Sequence, residues 1–183
     1  MPPSFFRAAA VAAVATAALS ACEKRAATAL PPPSTAYAKT STAQAPGRGA
    51  CLTPDEMQAV RNEITWQQFY NAAIQCRAGT PAFASDYTAF RNKFRADNEL
   101  NSAPLQRVAA KRRANIHAFK TEIANRDGAM AGGNPNYCAN AYAAFRWALS
   151  SQVTSISQVP PMFDFLPEMG VSTCGAPGAT SKK

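Results

Sequence analysis

Histidine is nearly missing from this chain: His117 is the single one in 183 residues. A lone imidazole cannot supply the several ligands of a typical zinc site. Nothing in the sequence signals Ser and Asp partners that would make it part of a nucleophilic triad. Acidic residues are also scarce, 11 against 19 basic ones. Glu63 and Glu122 are helix-borne acids of the kind an envelope hydrolase uses. Such chemistry needs two carboxylates at a defined separation, however, and ordinary solvated helix faces account for both. The sequence contains no Cys-x-x-Cys and no Cys-x-x-Cys-His, which removes the spacings of a thiol redox centre and of c-type haem attachment. The glycines of Asp127–Asn134 lack the Gly-Lys-Ser/Thr ending of a phosphate loop and predict a flexible connector. There is no alternating strand pattern, no solenoid-type repeat and no apolar run of the ~20 residues that span a bilayer. No catalytic residue, metal ligand or cofactor is therefore assigned.

What the chain does carry at its start is a short segment with Arg7, an apolar run Ala8–Leu19, and then Leu19-Ser20-Ala21-Cys22. This layout matches a cleaved export signal rather than a retained membrane helix. The tetrapeptide resembles the lipobox of bacterial lipoproteins. That resemblance implies a diacylated Cys22 thiol, cleavage just before it, and acylation of the new amino terminus. With Glu23 rather than aspartate after the cysteine, it also implies the periplasmic face of the outer membrane rather than the inner membrane. Several acyl chains on one residue anchor firmly, because each buried CH₂ contributes about 0.8 kcal/mol.

The formal charge of +8 suggests nucleic acid, but its distribution excludes that partner. Residues 51–174 hold twelve basic and ten acidic side chains, close to balance. The excess lies in the first 50 residues and in Lys182 and Lys183. A nucleic-acid domain concentrates its basic residues on a folded face. Residues 1–21 read as the signal peptide. Residues 22–50, rich in Ala, Pro, Ser and Thr, read as a disordered tether. Residues 51–174 read as one helical domain, and 175–183 as a flexible tail.

The domain is expected to be all-α, a four-helix up-down bundle with an irregular C-terminal segment packed on it. Thr53-Pro54-Asp55-Glu56 combines an N-cap, a first-turn proline and a capping-box glutamate, and starts helix one. Thr80-Pro81 starts helix two, with the stripe Phe83, Tyr87, Phe90, Phe94. Asn101–Pro104 reads as a break. Helix three carries Leu105, Val108, Ala109, Ile116, Phe119 and Ile123. Helix four opens at Asn134-Pro135, carries Cys138, Ala141, Tyr142, Phe145, Leu149, Val153 and Ile156, and ends at Pro160-Pro161.

Setting Cys22 aside leaves Cys51, Cys76, Cys138 and Cys174, an even set that suggests two disulfides in an exported protein. Cys51 and Cys76 bracket helix one, roughly 35 Å apart at 1.5 Å per residue, too far to bridge. An up-down bundle brings the end of helix one beside the start of helix four, and its last residues beside its first. The pairs Cys76–Cys138 and Cys51–Cys174 follow.

Partner-binding candidates come from two places. Gln67, Gln68, Asn71 and Gln75 share one face of helix one, opposite Trp66, Phe69, Ala73 and Cys76, and amides can bind a peptide backbone or glycan. Trp147 projects opposite the core stripe of helix four. Either it marks a contact, or Pro160–Cys174 folds back and covers it. Arg112 falls within an apolar stripe and needs an internal partner. Together these features suggest a lipid-anchored periplasmic module that binds or positions another cell-envelope protein. The alternatives are an envelope hydrolase acting on peptidoglycan and a small-ligand carrier.

Overall fold

The computed structural model describes residues 51–79, 82–164, 166 and 169–174. The signal peptide 1–21, Cys22 and the 22–50 tether, the Thr80-Pro81 helix start and the 175–183 tail lie outside the described residues. The described part holds five helices: α1 Pro54–Gln75, α2 Ala82–Lys93, α3 Arg95–Lys111, α4 Ile116–Gly132 and α5 Tyr137–Leu149. A 3₁₀ turn follows at Ile156–Gln158. An isolated parallel bridge joins Leu52 to Thr173. The fold is all-helical as expected, but with five helices rather than four. None of the described helices is long and apolar enough to cross a membrane.

The capping box forms at α1: the Thr53 side chain accepts from the Glu56 N–H at 3.3 Å and Glu56 accepts from the Thr53 N–H at 2.8 Å. α1 packs against all four other helices and the 3₁₀ turn, so it is the hub of the domain. Around it Phe69 stacks on Phe90 at 4.3 Å and meets Phe145 edge-on at 4.4 Å, while Phe83 meets Phe145 at 5.5 Å. Both expected disulfides are present: Cys51–Cys174 with Cα atoms 4.8 Å apart, and Cys76–Cys138 at 5.4 Å.

Three helix boundaries differ from expectation. First, Asn101–Pro104 is inside α3, not a break. Asn101 is buried and ties α3 to α1, donating to the Ala59 carbonyl at 3.0 Å and accepting from Asn62 at 3.2 Å. Pro104 removes one helical bond. Its would-be acceptor belongs to Leu100, which is 77% exposed, so water can satisfy it. The chain instead bends at Phe94, between α2 and α3, and turns at Arg112–Asn115, where Arg113 adopts φ 53°. There the Ala114 N–H reaches the Ala109 carbonyl at 2.9 Å and the Arg113 N–H reaches Ala110 at 3.0 Å. This is a Schellman motif with arginine where glycine is usual. Ile116, Phe119 and Ile123 therefore belong to α4, not to the helix of Leu105.

Second, most of Asp127–Asn134 is the last part of α4, with Asp127 and Ala131 facing the core. The connector shrinks to Gly133–Asn136. Third, α5 ends at Leu149, so Val153 and Ile156 are buried in the C-terminal strap rather than on α5. Asp97 Oδ2 accepts the Ile156 N–H at 2.6 Å and fixes the 3₁₀ turn. Val153, Ile156, Val159, Met162, Phe163, Leu166, Met169 and Val171 of this strap are all buried.

Candidate functional site

The expected amide face of α1 is largely turned inward. Gln68 is fully buried. Its Nε2 donates to the Phe163 carbonyl at 2.9 Å and its Oε1 accepts from the Met162 N–H at 2.6 Å, so it clamps the strap to α1. Asn71 donates to Asp127 Oδ2 at 2.6 Å. Gln67 donates to Glu63 Oε1 at 2.9 Å. Of the four amides only Gln75 is exposed. Trp147 is half-buried against the core, and its indole N–H donates to the Gln158 carbonyl at 3.4 Å. The strap thus covers part of this ring, through the 3₁₀ turn.

The acids are largely engaged as well. Glu63 is buried and paired with Lys120 of α4 at 3.0 Å. Glu122 pairs with Arg126 at 3.2 Å and Arg112 at 3.7 Å. Arg112 also donates to the Met169 carbonyl at 3.0 Å and lies over the Phe119 ring. Glu56 pairs with Lys111 at 2.6 Å. Burial alone would raise the Glu56 carboxyl. The Lys111 hydrogen bond, the Thr53 backbone and the Lys111 charge outweigh that and hold it below its ordinary value. His117 is exposed, its backbone N–H capped by Asn115 at 2.7 Å. Among the described residues no group of three or more His, Cys, Asp or Glu could hold a metal ion.

Of the three buried acids, Asp127 alone has no ion pair among the described residues. Asp127 of α4 is 0% exposed. Asn71 serves Oδ2, while Oδ1 has no partner in hydrogen-bond geometry among the described residues. Burial pushes this carboxyl up to about 6. Asn71, Gln68 and Tyr137 pull the other way and only partly compensate. The Tyr137 hydroxyl donates to the Gln68 backbone carbonyl at 3.3 Å, and its ring stacks on Phe163 with centroids 5.7 Å apart. Burial, then the neighbouring Asp127, raise the Tyr137 hydroxyl well above its usual range. The sequence pattern hides this cluster because the glycines that follow Asp127 signal a loop.

Outside the core, α1 and α2 present an apolar face. Tyr70 is 45% exposed and Ile74 is 56% exposed. The Tyr70 and Tyr87 rings lie 5.7 Å apart, and the Arg91 guanidinium sits 5.9 Å from the Tyr87 centroid. Arg77, exposed, lies in the turn just beyond the end of α1. α1 carries no charge from Ile64 to its end. The i, i+4 spacing of Tyr70 and Ile74 was the available signal. Elsewhere, two open surface grooves of about 340 Å³ run beside Leu105 and Lys120 and beside Tyr142 and Arg146.

No protein-family model, curated protein or solved structure matches this chain.

Proposed function

We propose that this chain is a lipid-anchored, non-enzymatic helical module of the bacterial periplasm that positions another cell-envelope protein. The anchor is acylated Cys22 at the periplasmic face of the outer membrane, and the docking face is Tyr70, Ile74 and Tyr87. That face is the observation that carries the reading: two aromatic rings in contact and a half-exposed isoleucine, with Arg77 just beyond the end of α1 and Arg91 against Tyr87. Exposed aromatic side chains bordered by arginine are the composition of contact hot spots. Charge complementarity selects a partner segment whose apolar side chains are flanked by carboxylates. Two disulfides fit an oxidising compartment. The ion pairing of Glu63 and Glu122 gives the hydrolase alternative no support.

The test is site-specific photocrosslinking in the native envelope. A probe at Ile74 is expected to yield one dominant protein adduct, joined through a peptide with Asp or Glu beside apolar residues, and a probe at exposed His117 is not. Equal labelling from both positions, or none from Ile74, overturns the docking face. Mass spectrometry of the mature protein is expected to show acylated Cys22 as first residue; retention of Met1 overturns the anchor.

A further inference from the structure

Asp127 is a buried carboxyl whose position no ion pair explains. From α1 it is faced by Asn71 and Gln68, both neutral. From α5 it is faced by Tyr137, which titrates far above physiological pH. The strap meets two of these groups through Met162 and Phe163. The next strap residue, Asp164, turns its carboxylate onto the Leu166 N–H at 3.2 Å. Beside it on α4, Arg126 is engaged with Glu122. On α1, Glu63 is engaged with Lys120. Two of the three groups facing Asp127 are the ones that hold the strap. Gln68 bonds the Met162 N–H and the Phe163 carbonyl, and Tyr137 stacks on Phe163.

A neutral carboxyl is compatible with this pocket. A carboxylate is disfavoured, because it is buried without a cation, Asn71, Gln68 and Tyr137 compensate only in part, and Oδ1 stands outside hydrogen-bond geometry. Water is a further donor, and the stretch that Gln68 and Tyr137 hold, Pro160–Asp164, has no regular secondary structure to resist its entry. The strap cannot leave: α5 holds one end and the Cys51–Cys174 disulfide holds the other. It can only loosen as a closed loop.

We infer that Asp127 is a protonation latch for the strap: the neutral carboxyl keeps Met162–Phe163 docked on Gln68 and Tyr137, and its ionisation loosens that stretch to admit water. The displacement of the Asp127 carboxyl from 3.8 to about 6 sets the size of the effect. If the carboxyl is fully solvated in the loosened state, the opening equilibrium rises about tenfold between about pH 5 and about pH 8.

Backbone hydrogen exchange on the full, oxidised chain tests this, after correction for the intrinsic pH dependence of exchange. The Met162 and Phe163 amides are expected to be less protected than the α1 core amides and to lose about tenfold in protection between about pH 5 and about pH 8. Asp127→Asn is expected to keep that protection constant across the range. Strap protection equal to that of α1 at both pH values overturns the latch, because the strap then opens only with the whole domain. Lower but pH-independent protection overturns it too, as does an unchanged pH response in Asp127→Asn. Should that variant fail to fold, the wild-type comparison of strap with α1 still decides.

Discussion

Two buried acids of this domain respond to pH in opposite senses, and the difference lies in their neighbours. Glu56 faces Lys111 and its carboxyl is held low. Its contribution is present above the unfolded-state value and is lost as pH falls through the lowered folded one. Among the described residues Asp127 faces only neutral groups, and its carboxyl is raised to about 6. Between the unfolded-state value of 3.8 and about 6, the folded state binds more protons than the unfolded state. Stability from this residue is complete below the lower value and is lost as pH rises through the upper one. At neutral pH the ionised residue is a burden of up to about 2–3 kcal/mol. Asp127→Asn should therefore raise the denaturation midpoint at about pH 7, leave it nearly unchanged at about pH 4, and flatten the slope between. Urea titrations at both pH values check this. A variant less stable than wild type at neutral pH would mean that the carboxylate is satisfied in the fold.

At the scale of the element, the α3–α4 turn carries the clearest local strain. Arg113 holds φ 53° at the position where a Schellman motif favours glycine. A side chain there costs on the order of 1 kcal/mol. Arg113 is exposed, so Arg113→Gly should stabilise the domain by about 0.5–1 kcal/mol, read as a shift in urea midpoint. A loss of stability would show that the arginine makes a contact outweighing its backbone strain. The same turn explains what was legible in the sequence and what was not. Thr53-Pro54-Asp55-Glu56 signals α1 because cap, proline and glutamate act locally. The α3–α4 turn has neither glycine nor proline, and the apolar period runs across it from Leu105 to Ile123, so two helices read as one. Pro104 gave the reverse error. It is tolerated beside exposed Leu100, and the buried Asn101 tie anchors that turn of α3. The interior role of Gln68 was equally hidden, since an amide's partner on a distant strap leaves no trace in helical spacing.

At the scale of the whole molecule, the disulfides and the strap form one system. The cysteine pairing was legible because only the path of the chain mattered: the end of α1 meets the start of α5, and the last described residues meet the first. That relation survives the change from four helices to five. Cys51–Cys174 spans 123 residues and flanks the Leu52–Thr173 bridge, where the Leu52 N–H reaches the Ser172 carbonyl at 2.9 Å and the Cys174 N–H reaches Leu52 at 2.9 Å. A loop of that length restricts the unfolded chain by an amount worth about 5 kcal/mol in the entropy model, and measured losses run at about 2–5 kcal/mol. The aromatic centre of Phe69, Phe90 and Phe145 lies on α1, α2 and α5, and Cys76–Cys138 ties α1 to α5 independently. Combining Cys51→Ser with Cys174→Ser should therefore lower stability by about 2–4 kcal/mol while keeping the far-ultraviolet helical signal at room temperature. Exchange protection should fall first at Leu52 and Val171–Cys174, then along the strap, with the α1 core last. Collapse of the helical signal in this variant would place the organising link of the fold at the termini rather than in the hub around α1.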